Sequence, residues 1–229
     1  MTIETLFLDA GGVLVFPNWT RVADALARRD IVVTREALAL AELRAKRRLD
    51  LGETIQSTTD SERGWLYFDL ILDECRIAPT AGTAAALDEL RVYHAEHNLW
   101  ELVPDDVEPA LVQLRSLGMK LVVVSNANGR LRDAFDRLGL TALVDVLFDS
   151  FEEGVEKPDP RLFEIALERS GGRRETTMHV GDLYHVDVVG ARAAGLAAVL
   201  VDGGGLYDGY DCPRIRRLAE LPAFLKVRT

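Results

Sequence analysis

Short β-rich runs recur along the chain at LFLD (6–9), LVVVS (121–125), VLFDS (146–150), MHVGD (178–182) and AAVLVD (197–202). The later runs are separated by stretches with helical periodicity: DVEPALVQLRSLG, GRLRDAFDRLGL, PRLFEIALERSGG and HVDVVGARAAG. Several of these stretches meet a glycine where a helix C-terminus needs one. Strand and helix therefore alternate, which predicts an α/β fold: a Rossmann-like parallel sheet flanked by helices.

One interval breaks the alternation. From Pro17 to Trp100 no run reads as a strand, while NWTRVADALARRD, TREALALAELRAKRRLD, SERGWLYFDLILDECRI and TAAALDELRVYHAEHN all carry helical periodicity. Thr34 is placed to cap the second of these. The expected organisation is an α/β core of residues 1–16 and 101–229 with a helical block, 17–100, inserted after the first strand. The sequence holds no internal repeat and no low-complexity tract.

With 48% hydrophobic residues, the 229-residue chain can bury a substantial core. A formal charge of −10 argues against nucleic acid or an anionic membrane as the main partner and leaves room for a small anionic substrate. Cys75 and Cys212 fit no metal-ligand spacing and are too few for a disulfide framework, so a reduced, cytoplasmic setting is expected. No apolar stretch approaches the roughly 20 residues of a membrane helix, and no basic leader precedes the first strand. Oligomeric state is not legible in the sequence.

If the strands share one parallel sheet, Asp9, Ser125 and Asp182 stand at their carboxyl ends, where open α/β sheets place ligands. Lys157 follows the third run, ahead of a helix entered through Pro158 and Pro160. Two carboxylates, a hydroxyl and a cation suit phosphoryl transfer. Asp9 and Asp182 could share a hard cation such as Mg²⁺. Ser125 and the amides of the Asn126–Gly129 turn could hold phosphate oxygens while Lys157 offsets negative charge, and Asp9 could attack to give an aspartyl phosphate.

The order DAGGVL (9–14), SNANG (125–129), Lys157-Pro158 and GDLYHVD (181–187) resembles the four motifs of the haloacid dehalogenase-like hydrolase superfamily. The helical block lies where that family carries an α-helical cap. The resemblance implies Asp9 as nucleophile, Ser125 and Asn126 on the substrate, and Lys157 steadying both. It also implies Asp9, Asp182 and the Gly11 carbonyl on Mg²⁺, with Asp187 supporting Lys157 or the metal's water shell.

The chain departs from the family's phosphatases at Gly11, where they carry a second Asp as acid/base, a group worth about 10²- to 10⁴-fold in rate. Three ways around the loss are open: a substrate with a good leaving group, such as an acyl phosphate; His185 as proton carrier; or a site that binds phosphate without turnover, as in a regulatory protein. Dehalogenase-like and phosphonatase-like branches also lack that Asp. Gly181-Asp182 counts against the first, and Lys46, the only lysine of the helical block, is the sole candidate for the Schiff base of the second.

Other features read as structural. Arg44, Lys46, Arg47 and Arg48 predict a solvated basic helix face, and His94 and His97 a helix surface, since nothing nearby completes a zinc site. Gly203–Gly205 lack the Lys and Ser/Thr of a phosphate loop and predict a turn. Trp65–Phe68 is expected to pack the helical block.

Overall fold

The computed structural model describes residues 2–226. The chain divides into two compact units, residues 17–102 and residues 1–16 with 103–229.

The first unit is helical: α1 (Trp19–Ala27), α2 (Arg35–Leu49), α3 (Gly52–Ser57), α4 (Asp60–Glu74) and α5 (Ala81–His97). Its helix starts are set by side-chain caps. Asn18 Oδ1 accepts from Arg21 N at 3.1 Å, Thr34 Oγ1 from Ala37 N at 3.1 Å, and Thr59 with Glu62 closes a reciprocal capping box. The core packs Trp19, Leu26, Leu38, Phe68, Ile71 and Leu87. Of the aromatic run, Tyr67 and Phe68 are buried whereas Leu66 is exposed.

Of the basic cluster on α2, Arg44 and Arg48 are exposed as expected, whereas Lys46 is drawn into an ion pair. Lys46 Nζ lies 2.8 Å from Glu42, which also accepts the Tyr67 hydroxyl at 2.7 Å, and its side chain is only 15% exposed. Arg44 and Arg48 pair with Glu74 of α4 at 2.6 and 2.9 Å. Asp73 and Glu74, at the far end of α4, supply partners for the two exposed arginines that helical periodicity within α2 does not reveal. His94 likewise departs from a surface role: its Nδ1 accepts from Leu99 N at 3.1 Å and its ring meets Trp100 edge-on. Burial holds its pKa below the ordinary value. The unit ends at Leu102, two residues beyond the expected boundary. Trp100–Leu102 is a short strand beside Phe16–Pro17. Trp100 stacks on Tyr67, and Glu101 takes Asn18, Arg21 and Tyr93 as partners.

The second unit is a six-stranded sheet of β1 (Thr5–Leu8), β2 (Lys120–Ser125), β3 (Val146–Asp149), β4 (Thr177–Gly181), β5 (Ala197–Val201) and β6 (Arg214–Ile215). The spatial order is β3-β2-β1-β4-β5-β6, and every pairing is parallel. Register pairs Phe7 with Val122 on one side and with His179 on the other, so β1 is central and buried throughout. The flanking helices include α6 (Val107–Ser116), α7 (Leu131–Arg137), α8 (Ser150–Glu153), α9 (Pro160–Ser170), α10 (Val189–Ala193) and α11 (Leu221–Lys226). One core cluster joins Phe7, Val122, Phe148, Phe163, Val188 and Leu200. Strand order turns at β1, and the carboxyl ends of β1, β2 and β4 form the crevice edge where such folds bind ligands. No helix of the described residues is long and apolar enough to cross a membrane.

Candidate active site

Asp9 is the first residue after β1, and its N–H continues the ladder to Val180 O at 2.9 Å. Asp9 Oδ1 accepts from Ala10 N at 2.7 Å and faces Lys157 Nζ at 3.0 Å. Among the described residues Oδ2 has no hydrogen-bond partner. The turn that follows folds Leu14 N and Val15 N onto the Ala10 carbonyl, both at 2.9 Å. Gly12 takes φ 74°, which a side chain would resist; Gly11 does not require a positive φ.

Lys157 is 1% exposed, and its ammonium bridges Asp9 Oδ1 and Asp187 Oδ1, the latter at 2.7 Å. Its backbone is clamped by Asn126, whose Oδ1 accepts Lys157 N at 2.7 Å while Nδ2 donates to Lys157 O at 3.0 Å. Asn126 thus holds the lysine's main chain with both ends of its amide. Ser125, at the end of β2, is 3% exposed, and its hydroxyl makes a single long bond, to Asn126 O at 3.3 Å.

Two residues absent from the sequence reading shape the Asn126–Gly129 turn. Asp149 Oδ2 accepts Gly129 N at 2.9 Å and Leu131 N at 3.2 Å, and Ser150 Oγ accepts Ala127 N at 3.1 Å. Asp149 ends β3 and Ser150 opens α8; both fall in the VLFDS run, whose strand-end Asp-Ser pair is the signal that could have marked them.

Asp187 is fully buried and receives four donors. Lys157 Nζ and His179 Nε2 (2.9 Å) meet Oδ1, while Asp182 N (3.1 Å) and Leu183 N (3.0 Å) meet Oδ2. Gly181 makes this possible, since a Cβ there would stand 2.1 Å from Asp187 Cγ. A single π-helical turn, Tyr184–Val188, carries Asp187 back to this position and contains His185, whose ring packs edge-on against Tyr184.

The buried ammonium of Lys157 bridges Asp9 and Asp187, and Asp9, Asp182 and Asp187 each offer one oxygen within 4.8 Å of the others. Burial, with the neighbouring Asp187 and Asp182 charges and against the pull of Lys157, pushes Asp9 up to about 7. Asp187 is held well below the carboxylate range: Lys157 and His179 overcome its burial. Lys157 is raised because Asp187 and Asp9 outweigh its desolvation. The donor set, hard oxygens with a surplus of two negative charges, fits a divalent cation. Asp187 is the poorer ligand of the three because each of its oxygens already accepts two hydrogen bonds.

The family model of haloacid dehalogenase-like hydrolases matches residues 3–195. The chain belongs to that family. "Haloacid dehalogenase-like hydrolase domain-containing protein 3" of Mus musculus is 34% identical over 151 residues, 65% of this chain and 59% of that protein, so the match spans about three fifths of the relative's length. Ribulose-1,5-bisphosphate 5-phosphatase of Halopiger xanaduensis is 33% identical over 165 residues, 72% of this chain and 68% of that protein. YfnB from Bacillus subtilis, solved bound to magnesium, superposes with a TM-score of 0.70 at 19% identity, covering 98% of this chain and 99% of that one, and so shows the Rossmann-like fold. In this haloacid dehalogenase-like hydrolase the sheet brings Asp9, Ser125, Lys157, Asp182 and Asp187 to one end. Asn126 is turned to the Lys157 backbone, and the Gly11 backbone bridges to Val15.

Proposed function

We propose that the chain is a Mg²⁺-dependent phosphatase of a small phosphorylated metabolite, working through an aspartyl phosphate on Asp9. The observation that carries this reading is the asymmetry of the Asp9 carboxylate. Oδ1 is pinned by Ala10 N–H and Lys157, while Oδ2 has no partner and is the oxygen available to attack. Asp9 Oδ2 bonds to phosphorus as the bond from phosphorus to the leaving oxygen breaks. Water then attacks the acyl phosphate, releasing inorganic phosphate and restoring the carboxylate. Lys157 and the Ser125 hydroxyl face the charge that spreads over the phosphoryl oxygens. Asp9, Asp182 and the Gly11 carbonyl would hold Mg²⁺, which when bound supplies charge neutralisation and Lewis acidity.

The relatedness to a sugar-bisphosphate phosphatase supports a small phosphorylated substrate. Gly11 offers no side chain to protonate the leaving oxygen, so the reading favours substrates whose leaving group departs as an anion, acyl phosphates above all. Gly11 also favours a second reading, a phosphate-binding regulatory protein that retains the metal site; dehalogenase-like chemistry would instead release halide without metal.

The test is phosphate release from acetyl phosphate and p-nitrophenyl phosphate, with and without Mg²⁺, for wild type beside Asp9→Asn. Sustained release that needs both Mg²⁺ and Asp9 supports the phosphatase. A single-turnover burst, or stabilisation by phosphate without release, moves the binding protein ahead. Release that survives Asp9→Asn would sink the mechanism.

A further inference from the structure

The buried imidazole of His179 lies on β4 and is 0% exposed. Its Nε2 meets Asp187 Oδ1 at 2.9 Å, the same oxygen that Lys157 Nζ holds at 2.7 Å. Its Nδ1 is buried and makes no hydrogen bond of good geometry, although the Phe7 backbone interacts with the ring, and Phe163 covers the ring edge-on at 4.9 Å between centroids. A ring nitrogen left without a well-formed hydrogen bond in the core costs free energy, so the imidazole is retained for what Nε2 does.

Asp187 is an ionised acceptor, so Nε2 must carry the proton of this pair, leaving the neutral ring with a bare Nδ1. Burial, first, and the Lys157 charge keep the ring neutral against the opposing pull of Asp187 and the Phe7 backbone. We propose that His179 is a positioning residue: by donating Nε2–H to Asp187 Oδ1 it keeps that oxygen from capturing Lys157, whose ammonium therefore stays shared with Asp9. The proposal rests on the phosphatase reading for its kinetic consequence. The geometry behind it is the common oxygen. Without the imidazole donor, Oδ1 concentrates its charge on Lys157, and the ammonium moves toward Asp187 and away from the attacking carboxylate. A group that merely filled space would need no N–H at this point.

The experiment compares wild type, His179→Leu, His179→Gln and Asp9→Asn with acetyl phosphate and Mg²⁺. Gln is chosen because its amide places an N–H close to where Nε2 stands. His179→Leu is expected to lose about 10- to 100-fold in kcat, as is typical when an orienting partner is removed, with KM nearly unchanged, and His179→Gln to restore most of it. In wild type, ¹⁵N spectra of the histidine rings should show His179 as the Nε2–H tautomer at neutral pH. A wild-type kcat in His179→Leu, equal losses in the Leu and Gln variants, or an Nδ1–H ring would each overturn the proposal. Where His179→Leu does not fold, His179→Gln carries the test: near wild-type kcat with the Nε2–H tautomer in wild type supports the proposal, and a large kcat loss in His179→Gln or an Nδ1–H ring overturns it. Phosphate release persisting in Asp9→Asn would instead count against the nucleophile.

Discussion

Asp9→Asn should stabilise the metal-free α/β unit, and more at pH 8 than at pH 5. Burial and the neighbouring carboxylates raise the Asp9 carboxyl from 3.8 to about 7, so the folded state holds this proton more tightly than the unfolded chain does. A group raised on folding contributes fully below its unfolded value, and that contribution is lost as pH climbs through its folded value. With these two values, ionising Asp9 costs the fold on the order of 2 kcal/mol at pH 5 and on the order of 4 kcal/mol at pH 8. Asparagine removes the ionisation while its Oδ1 can still accept from Ala10 N and Lys157. The gain of the variant over wild type should therefore grow by about 2–3 kcal/mol between the two pH values in EDTA. Trp19, Trp65 and Trp100 all lie in residues 17–102, so tryptophan fluorescence watches the wrong unit. Hydrogen exchange of β1 and β4 peptides reads the right one, with variant and wild type compared at each pH so that intrinsic rates cancel. Excess Mg²⁺ should narrow the difference by stabilising wild type. A variant that is less stable than wild type by the same amount at both pH values would refute the charge argument.

Gly11→Asp should raise turnover of p-nitrophenyl phosphate, within the range of about 10²- to 10⁴-fold that a general acid/base supplies; an unchanged or lower rate would mean that the missing carboxylate is not what limits this site. Gly181→Ala forces a Cβ to 2.1 Å from Asp187 Cγ and so displaces the carboxylate. Breaking its buried pair should cost about 3–5 kcal/mol, measurable by urea unfolding followed by circular dichroism, and a loss under about 1 kcal/mol would contradict the cage described for Asp187. Tyr67→Phe removes one of two partners of Glu42 and should destabilise the helical unit by about 1–2 kcal/mol, here read by tryptophan fluorescence; no shift in midpoint would show that Lys46 alone satisfies Glu42.

The parallel sheet and the inserted helices were legible because their signals are local: apolar runs, caps and glycines act within a few residues of where they stand. The strand β6 was not, being two residues long and lacking any period. The candidate site residues could be picked out by type and order, since Asp9, Ser125 and Asp182 close strand-like runs and Lys157 follows one. Their partners were harder to see. Asn126 grips Lys157 across 31 positions, and nothing in SNANG says that its amide is used on a backbone so far away. His179 sits inside MHVGD, where it reads as one more residue of a buried strand. Its meaning comes from Asp187, which a π-helical turn returns to the same strand eight residues later. The exposed face of the basic run on α2 was legible, but the ion pairs of Arg44 and Arg48 were not, because Asp73 and Glu74 stand on α4.

The backbone separates what Gly11 and Gly12 are for. Gly12 occupies φ 74°, so its lack of a side chain follows from the turn that gathers amides onto the Ala10 carbonyl. Gly11 has no such conformational demand, and on the phosphatase reading its missing side chain has a chemical consequence. The rest of the constellation is intact: Lys157 is clamped through its main chain, Asp187 is saturated with donors, and Asp9 presents one fixed and one unpartnered oxygen. Random decay of an enzyme into a binding protein would not be expected to spare this many expensive buried groups, each costly unless used. A site kept in this state without a neighbouring acid is suited to phosphoryl donors that leave unaided, and on that argument acetyl phosphate should outperform p-nitrophenyl phosphate, and both should outperform alkyl phosphates, in kcat/KM. The reverse order would mean that a proton donor acts from outside the four motifs.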